Sequence, residues 1–345
     1  MSGLEWLRLE DLRPGAWDEF VSSHPAATFF HLSGFAPLFA KVLRQRPHYL
    51  AVRRGGELAG VLPLVEMRSP LFGRSLVSAP FLVEGGPLCV DEEVRDALLE
   101  AAERLARSLD ARWIELRSPI DGRPGWQAGP ELYHRFTVSL DPDPERTFNS
   151  FRRKRRASIR KGRSLGLRTR IGDDLAGFYD LVARNWHRLG TPILPRAWFA
   201  GLHSAFADRC EILFVDHGGR AVAAVMSFYF RDRVLPYYAG ALPEARELCA
   251  HDVMYDALMR HATLVRGARI LDFGRSRQGT GAYDFKRNWG IPSEPLRYSY
   301  RLLRVREPPA VNPTHPRLRL FIEAWKRLPF PVTLLLGPTI ARTLG

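Results

Sequence analysis

The amino-acid sequence predicts an α/β protein of the α+β mixed-sheet type, made of two tandem domains that arose by internal duplication. Three observations support this prediction: the length of the chain and two local patterns that each occur twice in the same order. At 345 residues the chain is too long for one ordinary hydrophobic core and suits two domains of about 150 residues each. Its 46% hydrophobic and 26% charged residues are typical of globular proteins.

The first repeated pattern is a β-hairpin with a pair of glycines at its turn. Residues 48–65 contain a β-rich run, a Gly-Gly pair and a second β-rich run, and residues 211–228 repeat that arrangement. Paired glycines supply the positive φ angles that a tight hairpin turn needs. The pairs begin at Gly55 and Gly218, 163 positions apart, so the hairpins are expected at equivalent places in the two domains.

The second repeated pattern is a helix followed by a strand. Residues 96–106 lead to a strand at 112–118, and residues 256–265 lead to a strand at 269–276. In each helix apolar residues recur at helical spacing and mark one buried face. These residues are Leu98, Ala102, Leu105, Leu258, Ala262 and Val265. The offset is about 160 residues, close to that of the hairpins, which supports a duplication.

The order hairpin, further strand, helix and strand resembles the GNAT acyltransferase fold, in which a hairpin leads into a splayed strand pair that holds the acyl donor. We therefore expect a GNAT-like domain at 1–140, a second at 141–304, and a Pro-rich connector with a basic amphipathic tail at 305–345. The boundary lies at Asp141-Pro-Asp-Pro-Glu145, because the Asp-Pro repeats interrupt regular structure and Pro144 suits the first position of a new helix.

The composition indicates a compartment and a class of partner. Three cysteines, far apart in sequence, fit a reducing environment, and the start of the chain lacks the apolar region of a signal peptide. No stretch has the roughly 18 consecutive apolar residues that a membrane span needs. We expect a cytoplasmic protein. Its net charge of +14 favours nucleic acid, anionic lipid or phosphate-bearing substrates as partners, or else reflects arginines spread over a solvated surface.

The strongest charge run spans residues 152–163, with eight basic residues in twelve. On a helix, Arg152, Arg156 and Arg160 share one face, and such a stripe suits bidentate contacts with phosphate oxygens. The alternatives are a solvated basic helix and nucleic-acid binding. Because the run has no interleaved aromatic residues for base stacking, a phosphate-bearing small substrate fits better and sequence-specific DNA is not expected.

Residues 271–290 form the segment richest in chemistry, where a predicted strand is followed by a glycine-rich loop. Gly279 and Gly281 allow a close approach of the backbone to a ligand. Lys286, beside aromatic residues, would be partly desolvated and placed to stabilise the oxyanion of a reacting carbonyl. The alternative is an ordinary loop lysine, but the nearby Arg275 and Tyr283 favour a functional site.

These two segments resemble motifs of the FemAB family of aminoacyl transferases. Lys154-Arg-Arg-Ala-Ser-Ile-Arg-Lys-Gly162 is similar to the family's K-x-R-x-x-I-R motif, and Phe285-Lys-Arg-Asn-Trp-Gly290 is similar to F-K-x-x-F-G. The resemblance implies that Arg156 binds a phosphate-bearing acceptor and that Lys286 is the catalytic residue that steadies the tetrahedral intermediate. Other candidate substrate-binding residues are Lys154, Arg160, Lys161, Arg275, Tyr238, Tyr283 and Phe285.

Within that family the chain resembles a branch associated with the PEP-CTERM/exosortase exopolysaccharide system, and its second domain is similar to the BioF2-like acetyltransferase domain. Segments typical of that branch are Phe29-Phe-His31, Leu62-Pro-Leu64, Pro236-Tyr-Tyr238, Asp272-Phe-Gly-Arg-Ser276 and Trp325-Lys-Arg-Leu-Pro-Phe-Pro331. The resemblance implies an acyl or aminoacyl transferase (EC 2.3) that forms an amide or ester on a phosphate- or lipid-linked cell-envelope glycan precursor, in exopolysaccharide or peptidoglycan biosynthesis. The alternative is a non-catalytic protein that uses a degenerate acyltransferase fold to hold a polyanion.

The sequence leaves the donor open between aminoacyl-tRNA, with tRNA as a partner, and acyl-CoA. No helical arm of the kind that contacts tRNA in FemA-type enzymes is present. The R/Q-x-x-G-x-G/A loop that binds the CoA pyrophosphate at a helix N-terminus is also missing, both at 242–250 and at 84–88. We expect no bound cofactor and no catalytic metal, because the ten histidines lack metal-binding spacing, and Cys210 and Cys249 fit a core better than a nucleophile.

The tail, residues 317–336, is basic, aromatic and apolar. Two interpretations stay open. In one, the tail lies on an anionic membrane surface with Trp325 and Lys326 at the interface, which would make the protein peripheral to the inner membrane. In the other, it is a C-terminal helix packed on the second domain.

Overall fold

The chain folds into two units, each built around one mixed β-sheet. The computed structural model describes residues 3–70, 72–308 and 316–343, without the side chains of 316–319. The first unit comprises Met1–Glu131, Leu296–Val311 and Ile340–Gly345, and the second comprises Leu132–Pro295 and Asn312–Thr339. The predicted Pro-rich connector lies outside the described residues between 309 and 315.

The described residues form β-strands that are, in chain order, β1 (Leu4–Arg8), β2 (Arg46–Arg54), β3 (Glu57–Ser69), β4 (Gly73–Ser78), β5 (Leu88–Cys89), β6 (Trp113–Leu116), β7 (Trp126–Ala128), β8 (Tyr133–Ser139), β9 (Arg168–Ile171), β10 (Cys210–His217), β11 (Arg220–Phe230), β12 (Arg233–Ala241), β13 (Ile270–Arg277), β14 (Ser293–Pro295) and β15 (Ser299–Leu302). The α-helices are α1 (Ala16–Ser23), α2 (Phe35–Lys41), α3 (Glu92–Ser108), α4 (Pro144–Ser150), α5 (Arg153–Ser164), α6 (Leu175–Leu189), α7 (Arg196–Ala205), α8 (Ala250–Leu264), α9 (Gly281–Arg287), α10 (Pro316–Arg327) and α11 (Phe330–Ala341). None of these helices is long and apolar enough to cross a membrane.

The sheet of the first unit has the order β1-β2-β3-β4-β6-β15-β7, with β5 on β3. The predicted hairpin is β2–β3, which turns at Gly55 and Gly56 with φ of +59° and +86°. Strand β4 continues the antiparallel sheet, α3 follows, and β6 returns parallel to β4. Helix α3 packs on the sheet through Leu98, which is fully buried against strand residues such as Leu64.

The second unit repeats this order in the sheet β14-β8-β13-β12-β11-β10-β9. Its hairpin is β10–β11, α8 follows β12, and β13 returns parallel to β12. Because the same succession of hairpin, strand, helix and parallel strand occurs in both units, the predicted duplicated mixed-sheet fold is confirmed.

Helices cover both faces of the second sheet. On one face α6 crosses β12 at Gly240, where a Cβ would lie 2.4 Å from the backbone nitrogen of Val182. Only glycine allows this close approach. On the other face α8 buries residues such as Met254 and Leu258 against the core.

The compact units do not end at the predicted boundaries. Strand β8 lies within the range expected for the first domain, 1–140, but pairs with β13 in the second sheet, and β15 lies within 141–304 but pairs with β6 in the first sheet. The helix predicted to begin at Pro144 does begin there, with the Asp143 side chain accepting a hydrogen bond from Glu145 N. Each unit therefore completes its sheet with a strand from beyond the expected boundary.

The tail forms two helices, α10 and α11, and α10 packs on α6. Trp325 is 3% exposed, and Nε2 of His187 lies 3.0 Å from the backbone oxygen of Leu328. The interpretation of a helix packed on the second domain is therefore observed. The expectation that Trp325 lies at a membrane interface is wrong, because its ring is buried.

Candidate functional site

Lys286 lies on the short helix α9, which is capped by the Thr280 side chain accepting a hydrogen bond from Tyr283 N. Its side chain is buried, and Nζ donates a 2.6 Å hydrogen bond to the backbone oxygen of Phe273. Within the described chain this is the one acceptor for Nζ, so two of the three ammonium hydrogens have no protein partner there. Burial lowers the pKa of Lys286 to about 8, although the charge of Asp272 opposes the shift.

The Phe273 oxygen is free to accept this bond because β13 is interrupted beside it. The register against β8 shifts between Asp272 and Arg275, and Gly274 in between has a φ of +65°. The Asp272 carboxylate holds the interruption, accepting from Gly274 N at 2.8 Å and from Arg135 Nε at 2.8 Å. The bulge therefore directs a backbone carbonyl away from the sheet and toward Lys286.

Strands β12 and β13 separate just before this point. They pair in parallel only at Arg233 with Ile270 and at Val234 with Leu271. Beyond these pairs β12 has its own register shift against β11, where Met226 pairs with Tyr238 and the next residue, Ser227, pairs with Pro236. The splayed strand pair expected from the sequence is therefore present in the second unit, with Lys286 bonded at the edge of the opening.

Arg155 connects the basic run to the segment that carries Lys286. Its guanidinium forms an ion pair with Asp252 of α8 and lies over the rings of Phe285, at 5.1 Å, and Trp289, at 5.3 Å. Burial raises the pKa of Asp252, although Arg155 opposes this shift. The first turn of α5 is thereby fixed against both α8 and the segment after α9.

The other predicted cations of α5 point in different directions. Arg156 is half-buried, its Nη1 lies 3.3 Å from Oδ1 of Asn149, and its buried Nε has no hydrogen-bond partner among the described residues. Arg160 is exposed and lies over the Phe148 ring at 5.3 Å. Lys154 and Lys161 are exposed on the side away from the core. Of these four cations, Arg156 and Arg160 therefore contact residues of α4, and Lys154 and Lys161 face solvent.

The remaining predicted residues lie on both faces of the second sheet. Tyr283 packs on His134 and Phe136, and its hydroxyl lies 3.2 Å from that of Ser293. Arg275 lies over Tyr133, on the opposite face because residues alternate along β8.

Tyr238 is buried in the core. Its hydroxyl accepts a 2.9 Å hydrogen bond from Trp198 Nε1, and burial raises its pKa well above the ordinary value. Phe285, in contrast, packs on the α8 side with Arg155, Tyr255 and Trp289. The structure therefore brings Tyr283 and Lys286 together beside Phe136, and it places Phe285 against α8 and Tyr238 within a packed aromatic group.

Helix α8 begins where a GNAT domain would bind the CoA pyrophosphate, but its residues do not fit an anion. Cys249, with a φ of +57°, precedes the helix, and Asp252 lies in its first turn. Helix α5 covers this end: a Cβ at Gly162 would lie 2.5 Å from the Val253 side chain and 3.0 Å from Leu248 O. A carboxylate in the first turn already complements the positive end of the helix dipole. The corresponding helix N-terminus in the first unit is also acidic, since α3 is capped by Asp91 and begins with Glu92 and Glu93.

The sequence analysis did not identify several residues that make contacts in this region. Asp252 and Asp256 lie one turn apart on α8 and pair with Arg155 and Arg163 of α5, so two carboxylates at i, i+4 spacing on one helix face were a usable signal. His251 packs on Phe285 at 6.0 Å, and burial lowers its pKa, so that ring is neutral at pH 7. Nowhere in the described parts of the chain do three or more histidine, cysteine, aspartate or glutamate side chains lie close enough together to hold a metal ion.

Comparison with known proteins identifies the fold. Residues 149–287 match the family model described as the acetyltransferase (GNAT) domain. FemX aligns with a TM-score of 0.68 at 18% identity, over 87% of this chain and 98% of FemX. A tandem GNAT protein from the clavulanic acid biosynthesis pathway aligns with a TM-score of 0.54 at 12% identity, over 86% of this chain and 98% of that protein.

A third solved structure is the C-terminal domain of a protein from Agrobacterium fabrum described as a lysylphosphatidylglycerol synthetase. It aligns with a TM-score of 0.50 at 13% identity, over 70% of this chain and 81% of that domain. No curated protein matches the sequence. The chain thus has the FemX-like fold of two tandem GNAT-like domains, and its residues 149–287 match the GNAT acetyltransferase domain model.

Proposed function

We propose that this chain is an acyl or aminoacyl transferase that forms an amide or ester bond on a phosphate- or lipid-linked cell-envelope glycan precursor, in exopolysaccharide or peptidoglycan biosynthesis. The observation that carries the proposal is the buried Lys286 ammonium, held on Phe273 O beside the splayed strands, with two donors left for a ligand. The GNAT domain and the FemX-like fold support the acyl-transfer class. The neighbour described as a lysylphosphatidylglycerol synthetase supports an envelope acceptor.

In the proposed reaction the acceptor amine or hydroxyl attacks the carbonyl carbon of the activated donor. A C–N or C–O bond forms, and the ester bond to tRNA or the thioester bond to CoA breaks. The carbonyl oxygen carries negative charge in the tetrahedral intermediate, and the Lys286 ammonium donates a hydrogen bond to it. The nucleophile's proton passes to the leaving group. Positioning of the two substrates supplies the remaining rate enhancement.

Arg156 is the proposed contact for the phosphate of the acceptor. Its buried Nε lacks a partner among the described residues, and an unpaired buried donor costs free energy that a phosphate oxygen would recover. Lys154, Arg160 and Lys161 add positive charge on the same helix. Substrate contacts by Arg275, Tyr283 and Phe285 remain part of the proposal. Tyr238, which was expected to bind substrate, is buried and supports the aromatic packing behind β12 instead.

The donor is proposed to be aminoacyl-tRNA rather than acyl-CoA. The acidic residue in the first turn of α8 and the cover provided by α5 leave no backbone site there for a pyrophosphate. An aminoacyl-tRNA does not need that site, and exposed cations such as Lys154 and Lys161 suit its backbone. Acyl-CoA stays the alternative donor because the GNAT family model implies it.

Mass spectrometry tests the proposal directly. Exopolysaccharide and peptidoglycan precursors from a strain lacking the protein should lack one acyl or aminoacyl mass that wild-type precursors carry. Purified protein, given those precursors with charged tRNA or with acyl-CoA, should restore that mass with one donor class only. Unchanged precursor masses in the deletion strain would contradict the proposed function.

A second candidate is a non-catalytic polyanion-binding protein. The hydrogen bond from Lys286 to a main-chain carbonyl favours this candidate, because a lysine with a purely structural role makes the same kind of bond. Wild-type protein that binds the precursor in calorimetric titration but transfers no group from any donor would support this candidate.

A further inference from the structure

Helix α11 packs through small residues and leaves three of its large apolar residues exposed. Thr333 and Gly337, one turn apart, are buried, and a Cβ at Gly337 would lie 3.1 Å from the Ile193 side chain. The opposite side contains Val332, Leu335 and Leu336, which are 37%, 77% and 44% exposed. A helix that packs only on a soluble core shows the reverse arrangement. The leucine-rich side of α11 is therefore left for another contact.

Helix α10 adds to this exposed side. Leu320 is 72% exposed, and Ala324 and Arg327 follow it at helical spacing on the same solvent-facing side. We call Leu320, Val332, Leu335 and Leu336 the apolar face of the tail. Other exposed large hydrophobic side chains in the described part of the second unit are Leu165, Ile171, Leu189 and the adjacent pair Leu264 and Val265.

The charges around the apolar face are mainly positive. Helix α11 has no charged residue among its twelve. Lys326 and Arg327 precede it, and on α6 Arg184 lies 4.7 Å from the centre of the Phe330 ring and Arg188 follows one turn later. Two acidic residues are present as well, Glu323 paired with Lys326 and Asp180 paired with Arg184. Four cations against two carboxylates give this surface a positive balance.

An apolar helix face bordered by lysine and arginine is the composition of a helix that lies in the interface of an anionic membrane. A second copy of this chain fits less well, because each copy has a net charge of +14 and the same cations would meet. We propose that the apolar face of the tail docks on an anionic lipid surface, with Lys326, Arg327, Arg184 and Arg188 at the headgroups. This inference goes beyond the proposed reaction and does not depend on it.

Vesicle sedimentation with the full chain tests the proposal. Wild-type protein should bind vesicles of phosphatidylglycerol and phosphatidylcholine, bind pure phosphatidylcholine far less, and be released as salt rises. The double substitution Leu335→Glu with Leu336→Glu should lower partitioning at least about tenfold, because two apolar contacts are replaced by charges that the anionic surface repels. The matched control, Leu264→Glu with Val265→Glu, changes two adjacent residues at the C-terminal end of α8 that are 68% and 67% exposed, and it should bind like wild type.

Circular dichroism and light scattering complete the test. All three proteins should give the same spectrum, so that a loss of binding reports on the surface and not on folding. Wild-type protein that stays in the supernatant with anionic vesicles would overturn the proposal, as would equal binding by both double variants. A wild-type dimer that becomes a monomer on Leu335→Glu with Leu336→Glu, without vesicle binding, would show that a second copy covers the face instead.

Discussion

The guanidinium carbon of Arg155 lies 5.3 Å from the centre of the Trp289 ring. This contact joins the two segments that resemble FemAB motifs, because Arg155 belongs to the basic run and Trp289 follows Lys286 by three positions. On its other side Arg155 pairs with Asp252 of α8. The residue next to the proposed phosphate-binding Arg156 therefore holds the framework on which both Arg156 and Lys286 are placed.

Arg155→Ala should lower the free energy of unfolding by about 2–4 kcal/mol, since it removes the cation–π contacts and leaves the Asp252 carboxylate buried without its partner. Lys154→Ala, one residue earlier and exposed, is the matched control and should change stability by no more than about 0.5 kcal/mol. Urea denaturation monitored by tryptophan fluorescence measures both. Equal midpoints for the two variants would show that Arg155 contributes no more than a surface residue.

Gly240→Ala should destabilise the second unit by roughly 1–3 kcal/mol, because the added methyl group would meet the α6 backbone at Leu181 and Val182. Gly281→Ala is the control, since no atom lies within 4 Å of a Cβ there. Thermal unfolding followed by circular dichroism compares the two. A Gly240→Ala protein as stable as the control would mean that α6 does not approach β12 this closely.

Arg156→Ala should weaken binding of a phosphate-bearing acceptor about tenfold or more, because a charge-assisted hydrogen bond contributes roughly 1.5–3 kcal/mol. Since the side chain makes one long hydrogen bond, to Asn149, folding should be nearly unaffected. Calorimetric titration measures the affinity at two salt concentrations, and Lys161→Ala should have a smaller effect. Sub-micromolar binding of single-stranded or duplex nucleic acid at physiological salt, unchanged by Arg156→Ala, would instead favour a nucleic-acid-binding protein.

The advantage of wild type over Lys286→Met in turnover should fall above pH 8. Burial lowers the pKa of Lys286 to about 8, so the ammonium is charged below that pH and loses its proton above it. Comparing the two proteins at each pH removes the titration of the acceptor, which is common to both. Initial rates between pH 6 and pH 10 measure the ratio, and a ratio that does not change across pH 8 would contradict a charged Lys286 donor.

Titration of Lys286 should also change the stability of the protein, and here a rise in pH favours wild type. Between about pH 8 and the ordinary lysine pKa of 10.5, the unfolded chain binds the Lys286 proton and the folded chain does not. The free energy of unfolding of wild type should therefore rise with pH in this window relative to Lys286→Met. Urea denaturation at pH 7.5 and pH 10 tests the sign of this difference.

The fold was predictable where local residues determine it. The glycine pairs at Gly55 and Gly218 form the hairpin turns because few other residues adopt these φ angles, and the helical spacing of Leu98 and Leu258 marks helices that the structure contains. The exchange of β8 and β15 was not predictable. It depends on pairing with β6 and β13, which lie far away in sequence, and no local pattern distinguishes these strands from others.

The candidate site was predictable in its segments but not in its contacts. Lys286 stood out because aromatic residues lie near it in sequence, but the rings beside its ammonium are those of Phe273 and of Phe136, which lies 150 positions earlier. Within the basic run, however, the sequence alone does not distinguish the role of Arg155 from that of Arg156. What separates them is Asp252, about a hundred positions away, which pairs with Arg155, whereas Nη1 of Arg156 lies 3.3 Å from Oδ1 of Asn149.

The most direct test of Lys286 as the oxyanion donor is to measure both the turnover of Lys286→Met and its affinity for the acceptor. An oxyanion donor acts only as charge develops, so turnover should fall about a hundredfold to a thousandfold while acceptor affinity is unchanged. Methionine keeps the length and apolar stem of lysine, and Arg287→Met, at the next position and exposed, is the matched control. Product formation by mass spectrometry gives the rate, and calorimetric titration gives the affinity. A Lys286→Met protein with wild-type turnover would contradict the account and leave Lys286 as a structural residue on Phe273 O.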